Sequence, residues 1–359
     1  MRATGWLALA IALAGVALSS QAAADTMDPA LARLVTDESC RVSGPNGGLY
    51  YNPASGFGPC QTDDAAFAKL IAQYGFAVAP SAMHSARTTG YGGFELAIEA
   101  DYTKIDSDAD YWERGTQRAQ DPSTSPDDLL QHYALKVRKG FPFGLELTST
   151  VGFLANTNIV TAGADIRMAL FEGFRTGIPA IFPELAVGGS VRTITGTEEF
   201  QLTIAGFDAQ LSKPLPIAGT VVLTPYIGYQ WLRIFGDSGL IDLTPNTDAI
   251  DACNFGGTNT PATPAGGNTG FDGQPVCPGG SAADFNNTVV FDEVRLTRHR
   301  LDFGAQLRFQ MVKFGAHFVT DIVGVADANK GADYEIAGVN KFEGVSKQWT
   351  LAFDLGAVF

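Results

Sequence analysis

Histidine is the scarcest residue here with acid–base chemistry: the chain has four, at positions 84, 132, 299 and 317. General acid–base or nucleophilic work needs one of them within hydrogen-bond reach of a carboxylate or hydroxyl. His132 has the best candidate partners, because Asp101 and Thr103 come opposite it if residues 91–104 and 131–140 pair as a hairpin. No Gly-x-Ser-x-Gly elbow or other nucleophile motif accompanies them. A histidine with a carboxylate neighbour then reads as structural, and no catalytic residue is assigned. Cys40, Cys60, Cys253 and Cys277 lack Cys-x-x-Cys spacing and a nearby histidine, which sets a metal centre aside. Asp106, Asp108 and Asp110, like Asp237, Asp242, Asp248 and Asp251, cluster without the Asp/Gly/Glu spacing of a calcium loop. Neither a metal nor a cofactor is expected. With 24 Lys and Arg against 38 Asp and Glu, a formal charge of −14, nucleic acid is excluded as a partner.

The other ionisable residues acquire a role only through the elements that hold them. Residues 1–24 have the parts of a secretory signal: Arg2, an apolar stretch from Trp6 to Leu18, and Ala22-Ala23-Ala24 as a cleavage site. The even cysteine count suits an oxidising compartment. Beyond residue 24 there is no run of roughly 18 apolar residues, so the exported chain is either soluble or a membrane barrel. At its end Trp349, Leu351, Phe353, Leu355, Ala357 and Phe359 alternate with Gln348, Thr350, Ala352, Asp354, Gly356 and Val358. A period of two puts the first set on one face of a strand.

This closing pattern, aromatic at the last residue and apolar at alternate positions before it, resembles the final strand of Gram-negative outer-membrane β-barrel proteins. The resemblance implies that Trp349, Leu351, Phe353, Leu355 and Phe359 form the signal read by the barrel-insertion machinery, with outer-membrane lipid and periplasmic chaperones as further partners. Asn52-Pro53-Ala54 ahead of the barrel is faintly similar to the long-chain fatty-acid transporters, which carry an N-terminal hatch and have more strands than are counted here.

The same alternation recurs over 91–104, 131–140, 144–156, 160–171, 184–194, 199–212, 219–235, 289–311, 313–325 and 347–359. The phase breaks within 199–212, where a bulge would reconcile it, and Pro225 argues against an ordinary central strand. A soluble β-sandwich alternates too, but the long connections, after strands one, seven and nine, all fall at one end. That layout predicts an all-β, transmembrane, antiparallel up-and-down barrel of about ten strands, with eight or twelve as alternatives.

Residues 90–359 would form the barrel, and residues 25–89 a disulfide-bonded segment, periplasmic or plugging the lumen, with short helices at Asp28–Val35 and Thr62–Tyr74. Cys40 with Cys60 and Cys253 with Cys277 is the expected pairing, each loop worth about 3 kcal/mol in the chain-entropy treatment. The faces opposite the apolar ones line the interior. They carry Glu95, Glu99, Asp101, Glu146, Asp165, Glu184, Asp302, Asp321 and Asp354 against Lys136, Arg138, Arg167, Arg192, Arg300 and Arg308. Such a lining suits either a salt-bridged core or a narrow passage for small solutes. A passage is the first expectation, a non-conducting barrel acting through its outer loops the second, and an omptin-like hydrolase using His132 the third.

Overall fold

The computed structural model describes residues 27–34, 42–43, 49–50, 62–81, 84–117, 126–173, 182–242 and 288–359. The signal segment, all four cysteines and Asn52-Pro53-Ala54 lie outside them.

Ten long strands follow one another around a closed ring: β1 (Phe94–Lys104), β2 (Leu129–Gly140), β3 (Leu145–Leu154), β4 (Val160–Phe171), β5 (Glu184–Thr195), β6 (Phe200–Ser212), β7 (Val221–Ser238), β8 (Val294–Phe309), β9 (Val312–Asp321) and β10 (Trp349–Val358). Each pairs antiparallel with its sequence neighbours, and β10 closes on β1 from Thr350↔Thr103 to Val358↔Glu95. Closure leaves no strand edge unpaired. A short strand, Leu215–Ala218, adds to β7 alone.

Outward side chains are apolar along most of every strand. Leu96, Ile98, Leu135, Val151, Phe207, Phe303 and Leu355 are all exposed, while the alternate inward positions are mostly buried and carry nearly all of the strands' charged residues. A sheet that turns its charges in and its hydrocarbon out is stable only where hydrocarbon is the solvent. The ring is therefore a transmembrane barrel of the outer-membrane type.

The bulge expected within 199–212 does not occur: β6 pairs with β5 and β7 without a register shift. Leu202 and Ile204 share the inward face with Asp208 because the interior itself is apolar near one end. Pro225 is tolerated because its carbonyl accepts from the Lys213 amide just past the end of β6, where no further strand needs its missing donor. The described part of 28–35 contributes a single 3-10 turn, Leu31–Arg33, rather than a helix.

A helix, α1 (Asp64–Ala77), runs inside the ring. Asp63 caps it by accepting from the Ala66 amide at 3.0 Å and also pairs with Arg114 of α2 (Asp110–Gly115) at 2.7 Å. Asp63→Ala is expected to cost about 1 kcal/mol from the cap alone. Thermal unfolding in detergent, followed by circular dichroism, checks it.

Candidate functional site

The lumen is built in two layers. Towards the end that carries the long connections, inward-facing Leu130, Leu154, Ile194, Leu202, Ile204, Leu232, Ile234 and Leu296 close on Phe67, Leu70, Ile71 and Tyr74 of α1. All of them are buried. The helix backbone lies directly on β7. A Cβ on Gly75 would meet Ile234 Cγ2 at 2.7 Å, and one on Gly236 would meet Ile71 Cγ2 at 2.5 Å. Glycine at both positions is what lets helix and strand approach this closely.

Residues 27–34 close that end from above. Asp28 accepts from the Asn158 amide and side chain, both at 2.6 Å, and the Leu31 amide donates to Glu199 at 2.9 Å. Tyr74 donates to the Met27 carbonyl at 2.9 Å. Gln73 anchors the helix to the connection between β1 and β2: its amide donates to Asp106 at 2.5 Å, while Trp112 donates to its carbonyl at 2.5 Å. Burial pushes the Asp106 carboxyl up, but hydrogen bonds from Ser346, Tyr111 and Gln73 outweigh it and hold the group below its ordinary range.

The C-terminus of α1 ends in mid-lumen among guanidiniums. Arg298 donates to the Ala72 carbonyl at 2.9 Å, and Arg300 to those of Phe76 at 3.2 Å and Pro80 at 2.8 Å. Arg192 donates to the carbonyls of Val78 at 3.3 Å and Ala79 at 3.4 Å. The last carbonyls of a helix have no intrahelical partner and carry its negative dipole end, so Arg300 at Phe76 and Arg192 just beyond answer both needs, while Arg298 adds its charge from the Ala72 carbonyl one turn earlier.

Below this point the chain descends through a lattice of ion pairs. Arg138 bridges Glu95 at 2.8 Å and Glu146 at 2.6 Å. Lys313 holds Glu95 and Asp354, Lys136 holds Glu99, and Arg167 holds Asp208 at 2.9 Å. Ser81 of the descending chain donates to Glu99 at 2.7 Å and accepts from Lys136 at 2.8 Å. His84 offers Nδ1 to Arg167 at 2.8 Å and to Arg138 at 3.2 Å. The chain leaves by the short-turn end through Gly90 and Gly92, both at φ +82°, and enters β1.

Of the residues singled out in the sequence, Glu95, Glu99, Asp101, Lys136, Arg138, Glu146, Arg167, Arg192, Arg300, Asp302, Asp321 and Asp354 face the lumen and are buried. Asp165 is half-buried beside a small void with Lys136, Arg167 and Asp208. Glu184 sits at the short-turn end, accepting from Ser212 at 3.3 Å. Arg308 is exposed at the same end and donates to the Gln310 carbonyl at 3.0 Å. There a cavity of about 440 Å³ opens to solvent, bounded by Arg87, Thr88, Glu95, Arg138, Glu172 and Arg308. Trp349, Leu351, Phe353, Leu355 and Phe359 lie on the outward face of β10 and just beyond it.

Sequence reasoning missed Arg298 and Lys313, although each is two residues from an inward position and shares its parity. It also missed Gln73 and His84, which no strand pattern could reveal. His132 does meet Asp101, Nδ1 to Oδ2 at 3.0 Å, and its Nε2 contacts Thr161 Oγ1 at 2.9 Å. This acid–imidazole–hydroxyl relay has the connectivity of a nucleophile triad, yet Thr161 is 0% exposed and His132 is 1% exposed. Glu99, Asp101 and His132 also lie close enough to share a cation, but Lys136 already neutralises Glu99.

No protein-family description matches the chain, and no curated protein matches it in sequence. Among solved structures, Ail of Yersinia pestis is similar at 12% identity, over 75% of this chain and 99% of its own, with a TM-score of 0.23. Omp33 of Acinetobacter baumannii matches at 8% identity over 76% of this chain and 100% of its own, TM-score 0.25. OprG of Pseudomonas aeruginosa matches at 10% identity over 77% and 99%, TM-score 0.25. Likeness this slight decides nothing about the chain; its closed ladder and apolar belt do.

Proposed function

We propose that the protein is a self-plugged outer-membrane barrel, closed to solutes in this conformation, that works through its long-loop end at the cell exterior. The observation that carries this reading is the dry layer formed by Phe67, Leu70 and Ile71 against Leu202, Ile204, Leu232 and Ile234, which spans the lumen where any solute must pass. Water and ions do not cross a close-packed apolar layer. Short turns towards the periplasm and long connections outward is the usual orientation of bacterial barrels, and it sets residues 27–34 among the outer connections. In planar bilayers the intact chain is expected to give no discrete conductance steps. Steady single-channel steps from purified protein would overturn the reading.

The 440 Å³ cavity favours a second reading, a gated passage for small solutes. It provides a polar vestibule on the periplasmic side, so passage would require α1 to leave and the chain that descends from it through the ion pairs, with Ser81 and His84, to move with it. The relay at His132 is assigned a structural role, because a hydroxyl sealed from solvent has no route to a substrate. The outward face of β10 is the segment we take the insertion machinery to read, after periplasmic chaperones have kept its apolar side chains apart.

A further inference from the structure

Outward-facing basic side chains are rare on the ten strands: Lys104 and Lys139 at strand ends, and Arg233 and Arg295 in the β7–β8 ladder. The two guanidiniums are diagonal neighbours, since Arg233 lies opposite Thr297 and Arg295 opposite Phe235. One step nearer the membrane the same ladder carries aromatic rings. Trp231 stacks on Phe207 with centroids 6.0 Å apart, and Tyr229 stacks on His299 and meets its Nδ1 at 2.6 Å. Tyr and Trp at this level mark the interface between hydrocarbon and headgroups, and two residues of strand lift Arg233 about 7 Å beyond Trp231. Both cations therefore sit at headgroup depth, on the lipid-facing side.

Their local partners hold them in place, and of the two only Arg295 is paired with a carboxylate among the described residues. Arg233 donates to Thr297 Oγ1 at 2.8 Å and to the Tyr334 hydroxyl at 3.4 Å, and its guanidinium lies 6.0 Å from the Phe235 ring centre. Lys341 stands 5.8 Å over the Tyr334 ring and adds a third positive charge. Arg295 is paired with Glu293 through two bonds of 2.7 Å, both side chains about half exposed. Water screens a surface pair of this kind to near indifference, so a dianionic phosphate can take the guanidinium from it.

We propose that the β7–β8 face around Arg233 and Arg295 is a docking site for the phosphate-bearing headgroup of a membrane lipid, the acyl chains lying against Tyr229, Trp231 and Phe207. The occupant is a lipid rather than a soluble anion because the cations stand directly above an apolar, aromatic wall. A free phosphate would leave that wall unused. The site rests on the transmembrane reading of the barrel but not on whether its lumen conducts.

Native mass spectrometry of the full chain in neutral detergent, with phosphatidic acid and phosphatidylcholine added at equal concentration, tests it. Wild type is expected to carry at least fivefold more phosphatidic acid than phosphatidylcholine. Arg233→Gln/Arg295→Gln is expected to lose that preference, while Lys104→Gln/Lys139→Gln keeps it. Equal adducts on wild type, or an undiminished preference in the double glutamine variant, would overturn the site. Displacement of phosphatidic acid by 10-fold excess inorganic phosphate would reassign it to a soluble anion and overturn the lipid. Should the glutamine variant fail to fold, wild type decides alone. Its preference is expected to vanish when the lipid is equilibrated in about 1 M salt, where screening acts within about 3 Å, and persistence there counts against the site.

Discussion

Replacing Leu70 and Ile71 together by aspartate is expected to turn a silent barrel into a conducting one. Both side chains are fully buried in the apolar layer, and the nearby cations Arg298 and Arg114 are already engaged, with Asp321 and with Asp63 and Asp110. An unpaired carboxylate there costs several kcal/mol, of order 3–5 for each residue. Two such penalties amount to about 6–10 kcal/mol set against the hold of this helix of 14 residues on the lumen wall. The strands are held by their own ladder, so the helix should leave while the ring persists. An α-helix with its side chains is about 10–12 Å across, and its departure, drawing the descending chain with it, would open a hole of about that width through the apolar layer. The readouts are single-channel steps in planar bilayers and protease cleavage within residues 62–81, with β content by circular dichroism confirming the ring. A variant with intact β content and no conductance would show that α1 is not the barrier. Leu70→Met with Ile71→Val keeps the layer apolar, removes about one methylene, and should stay silent, at a cost of about 1–2 kcal/mol.

The second large effect is expected from Arg192→Met combined with Arg300→Met. These guanidiniums, 1% and 3% exposed, satisfy four carbonyls at and beyond the C-terminus of α1, and Arg300 also donates to Gln230. Methionine fills similar space but donates nothing, so the Val78 and Ala79 oxygens and the Gln230 side-chain carbonyl lose their guanidinium donors next to the negative end of the helix, while Phe76 keeps the Ala79 amide and Pro80 the Gln230 side chain. At about 1–3 kcal/mol for each group left bare, the double variant should lose about 3–5 kcal/mol. It should also release the helix to protease at lower temperature than wild type. Arg308→Met, at the exposed rim, is the reference and should stay within about 0.5 kcal/mol. If the buried pair costs no more than the rim residue, the guanidiniums are not what latches the plug.

Both effects depend on a helix whose existence could be read from the sequence but whose location could not. The expected segment, Thr62 to Tyr74, overlaps α1, yet a free periplasmic arm and a plug remained equally open. A signal was present. Phe67, Leu70, Ile71 and Tyr74 share one face of α1 while Ala68, Ala72, Gly75 and Phe76 bring no charge to the other side, and a helix apolar on nearly every side must be enclosed. The broken phase at Leu202 and Ile204, which suggested a bulge, was the same message from the wall: inward positions turn apolar where an apolar element occupies the lumen.

What the sequence by itself determined is the architecture and the sidedness of every strand but β6. Alternation is a local property: lipid on one side and a polar interior on the other imprint opposite chemistry on successive residues. Contacts between adjacent strands were legible for the same reason, as with Asp101 and His132, or Glu95 and Arg138, which are direct cross-strand partners. Only the tertiary structure decided which charges meet across more than one strand, such as Lys313 with Glu95 and Arg167 with Asp208. It also decided that Arg192, Arg298 and Arg300 face a helix end rather than a passage. Those pairings are set by ring closure and by the path of a chain threaded through the lumen, and a pattern of period two carries no information about either.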